Sequence, residues 1–167
     1  MKKPQENYAF IDGQNLNLAT RAMGWYVDWK RFRVYLCEKY GVVKAYYFIG
    51  YVPENTDLYN SLQSYGYSLV FKPVSVRKGA KPKGNCDAEL VLQAMIDFNA
   101  YQKAIIVTSD GDFACLVTYL QKMGKLECVL ASSLGGCSHL LKRAAGQRIA
   151  FVDNLRGKLE YKKKSAP

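Results

Sequence analysis

Apolar positions fall into two rhythms along the chain, and the rhythms alternate. Tyr8-Ala9-Phe10-Ile11 is a short apolar run that stops at Asp12 and reads as a buried strand. Leu16 to Met23 has helical spacing. Asp28 stands where a helix cap belongs, ahead of an apolar stripe of Phe32, Leu36 and Val34 or Tyr35 that runs to Tyr40 and stops at Gly41. Val42 to Tyr51 is rich in Val, Tyr and Phe, which predicts a second strand. A third helix is expected from Asn55 to about Tyr65, closed by Gly66, and a third strand over Tyr67 to Phe71.

Lys72 to Lys83 breaks the alternation. It carries two prolines, five basic residues and no acid, so it reads as an exposed basic loop. Helical spacing resumes near Cys86 with Leu90, Val91, Ala94, Met95 and Phe98. Ala104 to Thr108 predicts a fourth strand. Asp112 is expected to cap a helix carrying Phe113, Leu116, Val117 and Leu120, closed by Gly124. Glu127 to Ala131 gives a fifth strand, Ser138 to Ala145 a last helix and Ile149 to Val152 a final short strand. The polar end, with Lys162, Lys163 and Lys164 in a row, is expected to fray. Strand–helix alternation predicts a three-layer α/β fold with a mostly parallel sheet covered on both faces. At 167 residues the chain makes one domain, residues 1–167, with its core over about 8–155 and a basic tail over 156–167.

Charge narrows the set of partners. Lys plus Arg is 24 against 14 acids, a net charge of +10, which favours a polyanionic partner such as nucleic acid or an anionic membrane surface without choosing between them. No stretch reaches the roughly 18 apolar residues of a membrane span, and the N-terminus lacks the apolar run of a secretory signal. The five cysteines are odd in number, scattered and without a C-x-x-C pair. They read as small core hydrophobes in a reducing cytoplasm, not as a disulfide framework or a zinc site.

The chemistry is expected where the strands end. In open α/β sheets, ligands bind beyond the carboxyl ends of the strands. Strand one ends in Asp12, within I-D-G-Q-N-L-N, and strand four in T-S-D-G-D-F, which holds Asp110 and Asp112. Asp87 lies where the basic loop enters a helix. Four carboxylates at one edge repel one another, and a hard divalent cation, Mg2+ or Mn2+, would relieve them. An Asp at a helix start also serves as a cap, and Asp87 and Asp112 fit that role too. Asn15 has an equally plain reading as a polar residue in a first helical turn.

F-I-D-G-Q-N-L, K-G-N-C-D-A-E-L and V-T-S-D-G-D-F, in that order, resemble the motifs of the NYN domain family of the PIN-like nuclease superfamily, in its bacterial LabA-like branch. The resemblance runs from about Tyr8 to about Leu155. It implies a Rossmann-like fold, an acidic site holding one or two Mg2+ or Mn2+ ions, and endoribonuclease activity. On the matching positions, Asp12, Asp87, Asp110 and Asp112 are the implied metal ligands, and Asn15 completes the implied catalytic set. Ser109 stands where the family usually has Gly, Thr108 where it has Ser, and Cys86 where it often has Val; none of these removes an acid. Ser109, Lys72, Arg77, Lys78, Lys81 and Lys83 are expected to touch the substrate. RNA, single-stranded, is the expected partner, and a homodimer is allowed. Two other readings stay open: a module of the same fold that binds RNA without cutting it, and a Toprim-like phosphoryl-transfer enzyme. The Toprim pattern wants a Glu after an early strand, where this chain has Asp12. His139, the only histidine, is expected to lie far from the acids.

Overall fold

The computed structural model describes residues 6–73 and 85–164. Arg77, Lys78, Lys81 and Lys83, expected to grip the substrate, lie outside the described residues. Six strands form one sheet in the order β3-β2-β1-β4-β5-β6, and every adjacent pair is parallel. They are β1 (Asn7–Asp12), β2 (Val42–Tyr51), β3 (Tyr67–Pro73), β4 (Ala104–Val107), β5 (Leu126–Ala131) and β6 (Ile149–Phe151).

The period-two rule places alternate residues of each strand in separate cores. Ala9, Ile11, Ala45, Tyr47, Ile105, Val107 and Leu130 meet one helical layer. That layer comprises α1 (Gly13–Ala22), α2 (Trp29–Tyr40), α3 (Thr56–Ser64) and α7 (Arg156–Leu159), through Leu16, Phe32, Leu36, Leu62 and Leu159. Phe10, Tyr46, Phe48, Ile106, Val129 and Ala131 meet the other layer. It is built from α4 (Asp87–Ile96), α5 (Ala114–Lys122) and α6 (His139–Ala145), through Leu90, Ala94, Leu116, Val117, Leu120 and Leu141. Trp25 is 1% exposed beneath the sheet, and its indole N–H donates to Asp153 Oδ1 at 3.2 Å.

Local signals explain the helix ends. The Asp28 carboxylate accepts the Arg31 N–H, and Gly41 closes α2 in the left-handed region at φ 62°. That conformation strains any residue with a Cβ, so Gly41 ends the helix where the sequence expects.

The structure departs from the sequence reading at several points. Lys72 and Pro73 continue β3, where a loop was expected. Asp112 does not cap the helix that follows it. Asp110 instead caps the 3-10 turn over Gly111–Phe113 that leads into that helix, by accepting the Asp112 N–H at 2.9 Å, and the helix itself has no side-chain cap. Cys86, Cys128 and Cys137 are buried as expected, but Cys37 and Cys115 are exposed, and none of the five forms a disulfide. The stretch read as a basic tail starts as packed structure. Leu159 is 1% exposed, its carbonyl accepts the Asp28 N–H at 2.7 Å, and Tyr161 N–H donates to the Tyr26 carbonyl at 2.8 Å. The N-terminal end of α2 and the C-terminal segment thus hold each other.

The candidate metal centre at the carboxyl edge

The strand order turns back between β1 and β4, because the chain builds outward from β1 on one side and from β4 on the other. Crossover connections leave in opposite directions there, which opens a crevice at the carboxyl edge. In dinucleotide-binding proteins of this strand order, a glycine-rich turn after β1 receives a pyrophosphate. Here β1 runs into Asp12-Gly13-Gln14-Asn15, so a carboxylate faces the crevice instead. An anion would be repelled and a cation attracted.

Asp12 is half-buried and held from two sides. Its Oδ1 accepts the Asn15 N–H at 3.4 Å, and its Oδ2 accepts the Thr108 hydroxyl at 3.2 Å. Burial pushes its carboxyl up to about 6, above what these two hydrogen bonds take back, and the charges of Asp87 and Asp110 push the same way. Thr108 Oγ1 also accepts the Asp110 N–H at 3.2 Å, so one buried hydroxyl links Asp12 to the loop after β4.

Asp87, Asp110 and Asp112 converge. Each offers a carboxylate oxygen, and the three atoms lie within 4.8 Å of one another. Local chemistry leaves them free to do so. Asn85 Oδ1 takes the Asp87 N–H at 2.8 Å, so a neighbouring amide serves the start of α4 and the Asp87 carboxylate is spared. Asp110 spends one oxygen on the Asp112 N–H, and Asp112 caps nothing. The Asp87 carboxyl is raised, first by burial and then by the charges of Asp110 and Asp112; its hydrogen bond with Asn85 and the charge of Lys72 oppose the shift. Asp12 stands beside this trio and outside it. The sequence reading treated the four acids as one set, whereas the structure gathers three of them, Asp87 and Asp110 half-buried and Asp112 exposed, and leaves the half-buried Asp12 outside the cluster.

The donor set fits a hard divalent cation. The atoms are all carboxylate oxygens, the group is partly open, and among the described residues none of the four acids has an ion-pair partner. Lys72 is a described cation whose charge acts on Asp87. It is already held, with its Nζ 3.5 Å from Glu89 Oε1 and donating to the Asn85 carbonyl at 2.6 Å. Lys72 therefore tethers the entrance to α4, beyond its expected role at the substrate.

The other expected site residues turn inward. Asn15 Oδ1 accepts the Ser109 N–H at 2.9 Å, which staples α1 to the loop after β4. Ser109, expected to touch the substrate, is 7% exposed. Its hydroxyl shares a 2.8 Å bond with the Ser132 hydroxyl and accepts the Ser132 N–H. Thr108 and Ser132 were not singled out as site residues. Ser132 follows β5 as Asp12 follows β1, so the rule of inspecting the first polar residue after each strand would have found it. The segment of His139 is not remote either. Ser138 N–H donates to the Ser109 carbonyl at 3.0 Å, and a Cβ on Gly111 would sit 2.3 Å from Ser138 Oγ. His139 itself is exposed and makes no hydrogen bond to the acids.

A three-layer parallel fold with carboxylates gathered at its switch point defines a PIN-like protein of nuclease type. The NYN domain model matches residues 8–153, and the chain belongs to that family. It is 23% identical to Low amplitude and bright protein LabA of Synechococcus elongatus, over 99% of this chain and 93% of that protein. A crystal structure of a protein of unknown function from Vibrio parahaemolyticus shares the fold with a TM-score of 0.79. The identity is 21%, and the match covers 96% of this chain and 99% of the other. Among the described residues, no helix is long and apolar enough to cross a membrane.

Proposed function

We propose that the chain is a metal-dependent endoribonuclease that hydrolyses phosphodiester bonds of single-stranded RNA in the cytoplasm. The observation that carries this reading is the trio Asp87, Asp110 and Asp112, with oxygens within 4.8 Å of one another at the switch point of a PIN-like fold. These three would hold Mg2+ or Mn2+, with Asp12 behind them. When bound, a divalent ion supplies charge relief on the scissile phosphate and makes water more acidic near neutral pH.

The chain's own residues divide the remaining work. Asp12, with its carboxyl near 6, is in range to accept a proton from the attacking water near neutral pH. Thr108 and the Asn15 backbone fix its two oxygens, so the basic lone pair is aimed and not rotating. Asn15 acts as a positioning residue by holding Ser109, and with it the loop that presents Asp110. The net charge of +10 supplies the attraction for the RNA backbone.

The test is incubation of labelled single-stranded RNA with Mn2+, with Mg2+ and with chelator, alongside D110N. Cleavage by the wild type with metal alone, lowered at least about a hundredfold in the variant, is the expected result. RNA binding without cleavage under every metal would replace the reading with a binding module of the same fold.

A further inference from the structure

Next to the acidic edge lies a pocket of about 300 Å³ that the proposed hydrolysis does not use. It opens at Gly13, the residue after Asp12, and lies on the β2 and α3 side of the crevice. Tyr47 and Trp29 line it, their rings packed edge to face at 4.9 Å. Tyr47 is only 2% exposed and lies against Gly13 so closely that a Cβ there would be 2.2 Å from its ring. One wall is therefore rigid and aromatic.

Apart from the Tyr47 hydroxyl and the Trp29 indole N–H, the polar side-chain groups of the pocket are of one kind. Gln14, Asn17 and Asn55 contribute carboxamides, and none of the described lining residues carries a charge. None of the three amides has a hydrogen-bond partner among the described residues. Asn55 is the most telling of the three. It is exposed at the end of the 3-10 turn Pro53–Asn55 that runs straight into α3, and its side chain makes no capping bond. Its amide remains free at the mouth of an aromatic-lined cavity.

An uncharged pocket beside an acidic cluster does not take phosphate. It suits a flat, neutral group with both donors and acceptors on its edge, which describes an unpaired nucleobase laid against aromatic side chains. The choice of base follows from the same inventory. In groove readout guanine is usually read by Arg or Lys and cytosine by Asp or Glu, whereas Asn and Gln pair in two-point fashion with adenine N6 and N7, an edge that an unpaired adenine also presents. We propose that this pocket is a base-specificity subsite that holds an adenine of the RNA strand and so fixes the cleavage position relative to it. The proposal rests on the ribonuclease reading for its role in cleavage, but its binding arm does not.

Two measurements test it. In chelator, ligand-observed NMR with the four nucleoside monophosphates should show adenylate bound about tenfold more tightly than guanylate or cytidylate. N17A and N55A should flatten that preference. N55D, which puts an acceptor-only group at the same place and suits the start of a helix, should turn the preference toward cytidylate. With Mn2+, mapping the cuts in a random-sequence RNA should show adenine enriched at one fixed position, with the same variants erasing or shifting the enrichment. Thermal midpoints within a few degrees of wild type establish that the variants fold. Equal affinity for all four monophosphates, or an adenine preference untouched by N17A, N55A and N55D, overturns the subsite. If wild type cuts no RNA yet prefers adenylate in an Asn55-dependent way, the subsite stands and the ribonuclease reading falls.

Discussion

At the scale of single residues, Asp12 is a carboxylate that the fold makes costly to ionise. Its carboxyl is raised from 3.8 to about 6, chiefly by burial, so the native state holds a proton that the unfolded chain releases. Between those two values the native state binds more protons than the unfolded one. Stability therefore falls as pH rises from about 4 to about 6, and the penalty is complete above that window. Two units correspond to about 3 kcal/mol at neutral pH. D12N removes the charge and keeps an acceptor for the Asn15 N–H. We expect the variant to melt higher than wild type at pH 7.5 in chelator, with the gain shrinking to near zero by pH 4. Melting curves across that range check it, and a gain that grows on acidification would have the wrong sign. In saturating Mg2+ or Mn2+ the gain should narrow, because a cation offsets the carboxylate charge in the wild type. The four acids could be picked out in the sequence because each follows a strand or opens a helix. What that rule could not give was their division of labour. Thr108 ties down Asp12 through a bond between positions that only folding brings together, whereas the Asn85 bond to the Asp87 N–H is local.

At the scale of elements, the passage from β1 into α1 carries the most constraint. Strand and helix are both legible, from the apolar run before Asp12 and the spacing after Leu16. Gly13 looks ordinary in sequence, and as the first residue of a helix it looks improvable. Replacing a helical Gly by Ala usually gains about 0.5–1 kcal/mol. The structure reverses that expectation, because the new methyl would meet the Tyr47 ring at 2.2 Å. Tyr47 is buried between Trp29 and Tyr67 and cannot swing into solvent. Overpacking of this kind costs about 1–3 kcal/mol, so the clash outweighs the propensity. G13A is expected to lower the midpoint of denaturant unfolding, and G13A with Y47L to recover part of the loss. An unchanged midpoint for G13A would show that the ring yields without strain. The elements that were misplaced share a cause. The Lys72-Pro73 end of β3 and the Arg156–Leu159 turn of α7 have polar local sequences, yet each is held by partners distant in the chain: Glu89 and β2 for the first, Val27 and Asp28 for the second.

At the scale of the whole molecule, a net charge of +10 coexists with an edge of four carboxylates that have no ion-pair partner among the described residues. On the proposed ribonuclease reading the two would serve different steps, with positive charge drawing in a polyanion and setting its affinity, and the acidic edge repelling phosphate until a cation is present. Binding and chemistry should therefore separate cleanly by mutation. Each lysine that neutralises a phosphate of single-stranded RNA adds about 0.7 to the slope of log affinity against log salt. If Lys78 and Lys81 both do so, K78A with K81A should weaken binding and flatten that slope by about 1.4. The rate of cutting once RNA is bound should stay close to wild type. D110N should do the opposite, abolishing cleavage while keeping the slope and binding RNA at least as tightly in chelator, since one repelling charge is gone. Binding isotherms at four or five salt concentrations, paired with single-turnover cleavage, read both quantities. An unchanged slope in K78A with K81A would return that segment to a solvated surface and move the search for the RNA path to the lysines and arginines of the described faces.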